Sequence, residues 1–287
     1  MATTLDDQAV SKGNNPQRDL LHRLLAERRT LVMGVVNVTP DSFSDGGRFL
    51  DPHAAIAQAR RLAAEGADIL DIGAESTRPY GDAVRVSSDE ERARLAPVLP
   101  DIIALGRPVS VDTMKASIAA WGIELGAAVV NDVWGLQHDP DMARVVAEHG
   151  VPVIIMHNRD AADPAIDIVG DVMAFFRRSL DIAARAGIAR ERIVLDPGIG
   201  FGKTPQQSII CIARLAELRT FGLPILVGAS RKRFIHTVTP SAPTERLGGS
   251  IAAHLLAVEN GAAMVRVHDV APTVQALAVA AAIRQAR

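Results

Sequence analysis

Three short side chains that accept hydrogen bonds stand at the ends of apolar runs in this sequence. They are Asp112, Asn131 and Asp196. Carboxylate and amide oxygens that converge on one place suit a flat ligand whose edge carries amino and amide N–H groups. A single Asp after a strand is more often a helix cap, and for Asp112 that alternative stays open. We interpret the three together as a binding site for such a ligand.

A second group of residues has the chemistry of an anion site. Arg266 and His268 are two positions apart at the end of an apolar run, so both point to one face of a strand. Arginine binds phosphate oxygens with two parallel hydrogen bonds, and histidine can add another donor. Asn37 ends the first run and offers an oxygen to a hard cation such as Mg²⁺, which needs few protein ligands. The alternative for Arg266 is a buried strut to a carboxylate.

Two further segments carry charge or glycine next to apolar runs. Ser230 to Arg233 is a basic run, which is more often a solvated face, but its position after Gly228 favours a cationic cluster with Lys232 over a planar ligand. The segment 196–204 resembles a phosphate loop, but its glycine spacing fits neither the P-loop nor the dinucleotide-binding pattern. Its glycines instead allow close approach of backbone to a flat ligand, with Phe201 as a wall.

Eight apolar runs must position these residues, with room for one helix between consecutive runs. This alternation is typical of parallel strands joined by helical crossovers, and eight units predict an α/β fold, the (β/α)8 TIM barrel. Active sites of such barrels lie at the carboxyl ends of the strands, so the polar endings should converge. The predicted strands are 31–37, 69–73, 109–112, 129–132, 153–157, 193–196, 225–228 and 264–268.

Composition supports one aliphatic barrel and excludes several classes of protein. Of 287 residues, 48% are hydrophobic and only 3% aromatic, which suits an interior of branched aliphatic side chains. A net charge of −2 argues against a nucleic-acid or membrane-surface binder. No segment is apolar enough to span a bilayer or to form a signal peptide. Cys211 is the single cysteine and is interpreted as a core residue, so we expect a soluble, cytoplasmic protein.

The chain is predicted to be one domain, 17–287, preceded by a disordered tail, 1–16. A leucine-rich helix over 18–28 is expected to plug the closed end of the barrel. Two loops, 38–50 after the first strand and 74–87 after the second, are unusually long and are predicted to be mobile and functional. Helices are predicted to start at capping residues or prolines, at Asp51-Pro52, Ser88, Asp139-Pro140, Asp163-Pro164, Thr204-Pro205 and after Pro272.

The motifs, taken in order, resemble those of the dihydropteroate synthase family over residues 31–270. They are MGVVNVTPDSFSDGG (33–47), DIGAESTRP (71–79), SVDT (110–113), ND (131–132), MHN (156–158), DPGIGFGKT (196–204), SRK (230–232) and RVHD (266–269). The first and the last are the most specific. The family condenses 6-hydroxymethyl-7,8-dihydropterin diphosphate with p-aminobenzoate to give 7,8-dihydropteroate and diphosphate in folate biosynthesis. It is the sulfonamide target and is usually dimeric.

The resemblance implies a role for each matching residue. Asp112, Asn131, Asp196 and Lys232 would bind the pterin, and Asn37, Arg266 and His268 would hold the diphosphate with Mg²⁺. Asp45 in the first long loop would stabilise the pterin methylene cation left when diphosphate departs. The p-aminobenzoate pocket would combine residues of both long loops with the sixth and seventh strand ends. These residues are Phe43, Thr77, Arg78, Pro79, Phe201 and Lys232.

Two other functions keep the pterin pocket but change the chemistry. A methyltetrahydrofolate-dependent methyltransferase would share the carboxylates and the amide but would not need the first long loop or the diphosphate residues. A non-catalytic pterin-binding paralogue would not need Asp45, Arg78 and Lys232, which are all present. The sequence departs from the family pattern at Ala74 and Tyr80, where glycine is usual, which leaves the shape of the second loop open.

Overall fold

A computed structural model describes residues 19–39, 51–75 and 86–286 of the chain. Within them, eight parallel strands form one sheet in the order β6-β5-β4-β3-β2-β1-β8-β7, and a bridge between Leu195 and Ile225 joins β6 to β7. The sheet is therefore a nearly closed barrel, and the TIM-barrel prediction is confirmed. The strands are β1 (Leu31–Asn37), β2 (Ile69–Gly73), β3 (Val109–Asp112), β4 (Val129–Asp132), β5 (Val153–Met156), β6 (Ile193–Asp196), β7 (Leu226–Val227) and β8 (Met264–Val267).

Helices surround the barrel in the predicted alternation. They are α1 (Leu20–Ala26), α2 (Pro52–Ala64), α3 (Ser88–Leu95), α4 (Leu99–Ile103), α5 (Ala116–Glu124), α6 (Met142–His149), α7 (Ile168–Ala186), α8 (Pro205–Ala213), α9 (Arg233–Val238), α10 (Leu247–Glu259) and α11 (Val270–Gln285). None of the helices in the described part of the chain is long and apolar enough to cross a membrane.

Alternation along each strand separates the barrel interior from the face that packs on the helices. In β1, Leu31 and Met33 point inward, whereas Val32 and Val36 pack under the helices. One inward residue each from β2 and from β4 to β8 completes a buried apolar layer; they are Ile69, Val129, Ile154, Val194, Leu226 and Met264. The next inward position toward the carboxyl end is polar in β2, β4, β6 and β8, where it is Asp71, Asn131, Asp196 and Arg266. The barrel interior is thus apolar toward the amino ends of the strands and carries polar side chains toward their carboxyl ends.

Helix α1 closes the amino-terminal end of the barrel, as predicted. Leu21 is 2% exposed and packs in the same cluster as Leu31 and Met264, and Leu24 and Leu25 cover it. This burial keeps water from the apolar layer at the end opposite the polar residues.

Several helices begin at or next to the capping residues predicted from the sequence. Asp51 caps α2 by accepting from the His53 N–H, and Thr204 caps α8 with a capping box, both as predicted. Ser87, not Ser88, caps α3, and the last helix begins at Val270 with Pro272 inside its first turn.

The predictions at Asp139 and Asp163 are wrong. The Asp139 carboxylate accepts from the Ala116 N–H and so caps the neighbouring α5, while α6 begins at Met142. Asp163 closes a local turn by accepting from the Ala165 N–H, and α7 begins only at Ile168. In both places the Asp-Pro pair marks a turn rather than a first helical turn.

Candidate active site

A cavity that encloses about 310 Å³ of empty space, part of it open to solvent, lies at the carboxyl ends of the strands. Pairing of neighbouring strands sets its walls, because Asn131 is in register with Asp112, and Asp196 with Met156. Six residues predicted from the sequence line it together, namely Asp112, Asn131, Asp196, Phe201, Lys232 and Arg266. The convergence expected of the strand ends is therefore present for these six.

Two buried oxygens in the cavity wall have no hydrogen-bond partner among the described residues. They are Asp112 Oδ1 and Asn131 Oδ1. Asp112 is held by its other oxygen, which accepts from Arg266 Nη2 at 2.7 Å. The turn after β3 is capped by Thr113, whose hydroxyl accepts from the Lys115 N–H, so Asp112 is not a helix cap. Unpartnered buried acceptors are costly unless a ligand donates to them.

Burial also changes the protonation of the two carboxyls. It raises the pKa of Asp112 to about 7, against the opposing effect of Arg266, and Asp71 raises it further. Burial raises the pKa of Asp196 to about 6, although the Gly198 N–H donates to its carboxylate at 2.7 Å. Both groups therefore titrate near neutral pH, and donors on a ligand would favour their ionised forms.

Asp71 is a site residue that the sequence analysis did not assign. It lies in the middle of β2, its side chain is fully buried, and it accepts from Arg266 Nε at 2.5 Å and from Asn131 Nδ2 at 3.2 Å. Strand alternation was the available signal, because Asp71 shares the inward face with Ile69.

Arg266 bridges two carboxylates, as in the alternative left open above, and its side chain is 18% exposed at the cavity. Its guanidinium pairs with Asp71 and with Asp112, and these acids raise its pKa against the effect of burial. A guanidinium has five N–H donors, so two ion pairs leave donors for an anion at the cavity. Its predicted contact with diphosphate stays a prediction.

A buried lysine stabilises the loop that follows β6, residues 197–202, which is called the glycine loop below. Lys203 is fully buried, and its ammonium donates to the carbonyls of Gly198 at 2.9 Å and Phe201 at 3.1 Å. It also lies 2.6 Å from His157 Nδ1. Burial lowers the pKa of Lys203 to about 8 and that of His157 to about 4. His157 is therefore neutral, with its proton on the Nε2 that faces the Asp171 carboxylate at 3.0 Å.

The basic run after β7 divides into residues with different contacts. Lys232 lies over the Phe201 ring, with Nζ 4.1 Å from the ring centre, at the cavity. Arg231 instead makes two hydrogen bonds, of 2.9 and 2.6 Å, to the Asp269 carboxylate and so ties the β7 end to the β8 end. Its φ of +58° turns the chain sharply between Ser230 and Lys232.

His268 lies just beyond β8, where its Nδ1 is 3.0 Å from the Ser230 hydroxyl. Burial, together with the nearby cations Arg266, Arg231 and Lys232, lowers the pKa of His268 to about 3. The imidazole is thus neutral in a positively charged setting that favours an anion. Asn37 ends β1, on the inward face that it shares with Met33. The loop residues Phe43, Asp45, Thr77, Arg78 and Pro79 lie outside the described residues.

Comparison with known proteins identifies the family. The model of a family described as pterin binding enzymes matches residues 33–268. The dihydropteroate synthase of Bacillus subtilis (strain 168) is 45% identical over 245 residues, which cover 85% of each chain. The chain belongs to the dihydropteroate synthase family.

Solved structures agree with this assignment. The Xanthomonas albilineans dihydropteroate synthase in complex with 7,8-dihydropteroate has a TM-score of 0.81 at 43% identity, over 89% of this chain and 94% of that one. The Yersinia pestis dihydropteroate synthase in a sulfonamide drug complex has a TM-score of 0.83 at 39% identity, over 91% and 96% of the two chains. The resemblance inferred from the motifs is confirmed.

Proposed function

We propose that this protein is a dihydropteroate synthase, a transferase that joins 6-hydroxymethyl-7,8-dihydropterin diphosphate to p-aminobenzoate and releases 7,8-dihydropteroate and diphosphate. The single observation that carries the proposal is the pair of unpartnered buried acceptors, Asp112 Oδ1 and Asn131 Oδ1, in the cavity of a chain from this family. A pterin ring presents amino and ring N–H donors along one edge and fits that wall. The 7,8-dihydropteroate bound to the X. albilineans relative supports the same ligand here.

Pterin binding would use the acceptors and the flat walls together. Donors of the ring edge would pair with Asp112, Asn131 and Asp196. The new hydrogen bonds would favour the ionised forms of the two carboxyl groups. The glycine loop, held by Lys203, brings backbone against the ring plane. Phe201 and Lys232 would lie beside the ring as a stacked pair.

Bond breaking separates charge, and the cavity residues are arranged to balance it. The C–O bond of the hydroxymethyl carbon breaks, and its electron pair leaves with the diphosphate. Donors from Arg266, His268 and Lys232 would receive the anion at the strand ends. The amine nitrogen of p-aminobenzoate then forms the new C–N bond, and its proton leaves to the diphosphate or to water. Asp45, Phe43, Thr77, Arg78 and Pro79 are proposed, from the motif match, to act on the cation and on p-aminobenzoate.

We propose Mg²⁺ as the cofactor, with Asn37 as its ligand from the protein. The described residues hold no cluster of three or more His, Cys, Asp or Glu side chains suited to a metal ion. A site with a single protein ligand suits Mg²⁺, because this ion keeps most of its waters and needs only one or two protein oxygens beside the phosphates of a substrate. When bound, it would neutralise charge that develops on the leaving diphosphate.

We also propose that the protein is a homodimer that works in the cytoplasm and is inhibited by sulfonamides. Exposed apolar side chains on α10 and α11 support a dimer, since Leu256, Val279 and Ile283 are each more than half exposed. The sulfonamide complex of the Y. pestis relative supports the inhibitor class.

The deciding experiment is to incubate the protein with the pterin diphosphate, p-aminobenzoate and Mg²⁺ and to identify the product by mass spectrometry. We expect 7,8-dihydropteroate, with no product when p-aminobenzoate is omitted. Asp196→Asn is the matched loss-of-function variant, and Asp141→Asn, an exposed acid before α6, is the control. Tight binding of the pterin by the wild type without turnover would indicate the non-catalytic paralogue instead. Transfer of a methyl group from methyltetrahydrofolate would indicate the methyltransferase.

A further inference from the structure

Asp71 is buried below the cavity and touches two of the residues that line it. Its side chain is fully buried, Arg266 Nε donates to Oδ2 at 2.5 Å, and Asn131 Nδ2 lies 3.2 Å from the same oxygen and 3.4 Å from Oδ1. Asp71 itself does not line the cavity. Its hydrogen bonds to the cavity wall therefore run through Asn131 and Arg266.

The contact with Asp71 decides which end of the Asn131 amide faces the ligand. A carboxylate in an ion pair accepts hydrogen bonds and donates none, so the amide must turn its NH2 group toward Asp71. Asn131 Oδ1 is then directed away, and it is one of the buried oxygens without a partner among the described residues. Without Asp71, either end of the amide could face the cavity.

We propose that Asp71 is a positioning residue that sets the hydrogen-bond polarity of the pocket. By holding the Asn131 amide in one orientation, it makes the wall an acceptor and selects ligands with an amino group at that edge over ligands with a carbonyl group. Arg266 extends the same effect, because it donates to both Asp71 and Asp112 Oδ2 and leaves Asp112 Oδ1 as an acceptor. The inference rests on the proposed function, since it assumes that a pterin occupies the cavity.

The test compares two ligands that differ at one group. 6-Hydroxymethylpterin carries a 2-amino group, and 6-hydroxymethyllumazine carries a 2-oxo group at the same position. Calorimetric titration of the full chain with each ligand gives the ratio of their dissociation constants. We expect the wild type to prefer the 2-amino ligand by roughly tenfold or more, which corresponds to one buried hydrogen bond gained against one lost.

Asp71→Asn should reverse the polarity of the chain of hydrogen bonds. The new amide oxygen would accept from Arg266, its NH2 would face position 131, and the Asn131 amide would turn its own NH2 to the ligand. The preference for the 2-amino ligand should fall to roughly one or below. Ser110→Ala is the matched control, because Ser110 is the buried β3 residue in register with Asp71 and its hydroxyl has no partner among the described residues. This control should keep the wild-type ratio.

The double variant D71N/N131D exchanges the two side chains and keeps the buried charge. An acceptor-only group at position 131 should restore the preference for the 2-amino ligand, and this prediction holds even if D71N alone does not fold. A wild type that binds pterin while D71N keeps the full preference would overturn the role of Asp71. So would a folded double variant with no preference. A wild type that binds neither ligand would instead reject the proposed function.

Discussion

At the scale of single residues, the protonation of Asp112 links the pocket to pH. Its pKa of about 7 and that of about 6 for Asp196 lie above the ordinary value of a carboxyl because both groups are buried. As the pH falls from 7.5 to 5, both groups take up protons in the ligand-free protein. Donors on a pterin then meet carboxylic acids instead of carboxylates.

We therefore expect the affinity for 6-hydroxymethylpterin to decrease as the pH falls through this range. The loss should approach about tenfold per pH unit for each group once the pH is well below its pKa. Asp112→Asn should weaken binding at pH 7.5 by roughly tenfold or more and make the pH dependence shallower. Isothermal titration calorimetry from pH 5 to 7.5 measures both effects. Unchanged affinity in the Asn variant at pH 7.5 would contradict a role for Asp112 in pterin binding.

At the scale of elements, the glycine loop after β6 owes its shape to close packing behind it. Gly198 has a φ of +65°, and a Cβ there would lie 2.0 Å from the carbonyl oxygen of His157. Gly150, at the end of α6, has nearly the same φ, +61°, but a Cβ there meets nothing within 4 Å. A side chain at either position would strain the backbone, but only at Gly198 would it also clash with a neighbouring atom.

Gly150→Ala should thus cost about 1–2 kcal/mol of stability, which is the usual penalty for a left-handed residue with a side chain. Gly198→Ala should lower the stability by about 1–3 kcal/mol more than Gly150→Ala does, because the loop must also move away from His157. It should also weaken pterin binding, since Gly198 lines the cavity. Chemical denaturation and pterin titration of the two variants give the comparison. Equal losses of stability would show that the contact with His157 does not constrain the loop.

Helix α1 offers a test of stability at the end of the barrel away from the cavity. Leu21→Ala removes a side chain that is 2% exposed from the apolar layer and should cost about 2–4 kcal/mol. Leu125→Ala, at a leucine that is 39% exposed, should cost less than about 0.5 kcal/mol. Pterin affinity should stay unchanged in both variants at a temperature where both are folded. A loss of affinity in the Leu21 variant would show that the plug also shapes the pocket.

Strands could be predicted from the sequence more exactly than helix starts, and the reason is physical. A short apolar run with a polar ending marks a buried parallel strand, and the predicted and observed ends of β5, β7 and β8 differ by only one residue. An Asp-Pro pair is equally suited to a turn, and Asp139 caps a helix from a different part of the chain. Asp71 was missed because its partner Arg266 is 195 positions away and only barrel closure brings them together.

At the scale of the whole molecule, α10 and α11 carry the exposed apolar surface on which the proposed dimer depends. Val279 and Ile283 are 55% and 56% exposed and lie four residues apart, on one face of α11. The double variant V279D/I283D places four like charges in a symmetric interface and should convert the dimer to a monomer. Sedimentation velocity measures the change. Leu125→Asp, at the end of α5, should leave the mass unchanged, and a dimer that survives the double substitution would place the interface elsewhere.

The pair of unsatisfied oxygens at Asp112 and Asn131 has a consequence for how this enzyme can evolve. Each is a local conflict between folding and recognition, because a buried acceptor without a donor lowers the stability of the free protein while it supplies the ligand's partner. Selection for heat tolerance alone should therefore favour changes that give these two oxygens a donor from the protein. Only selection for synthesis of the product would keep these two acceptors unpartnered in the free protein.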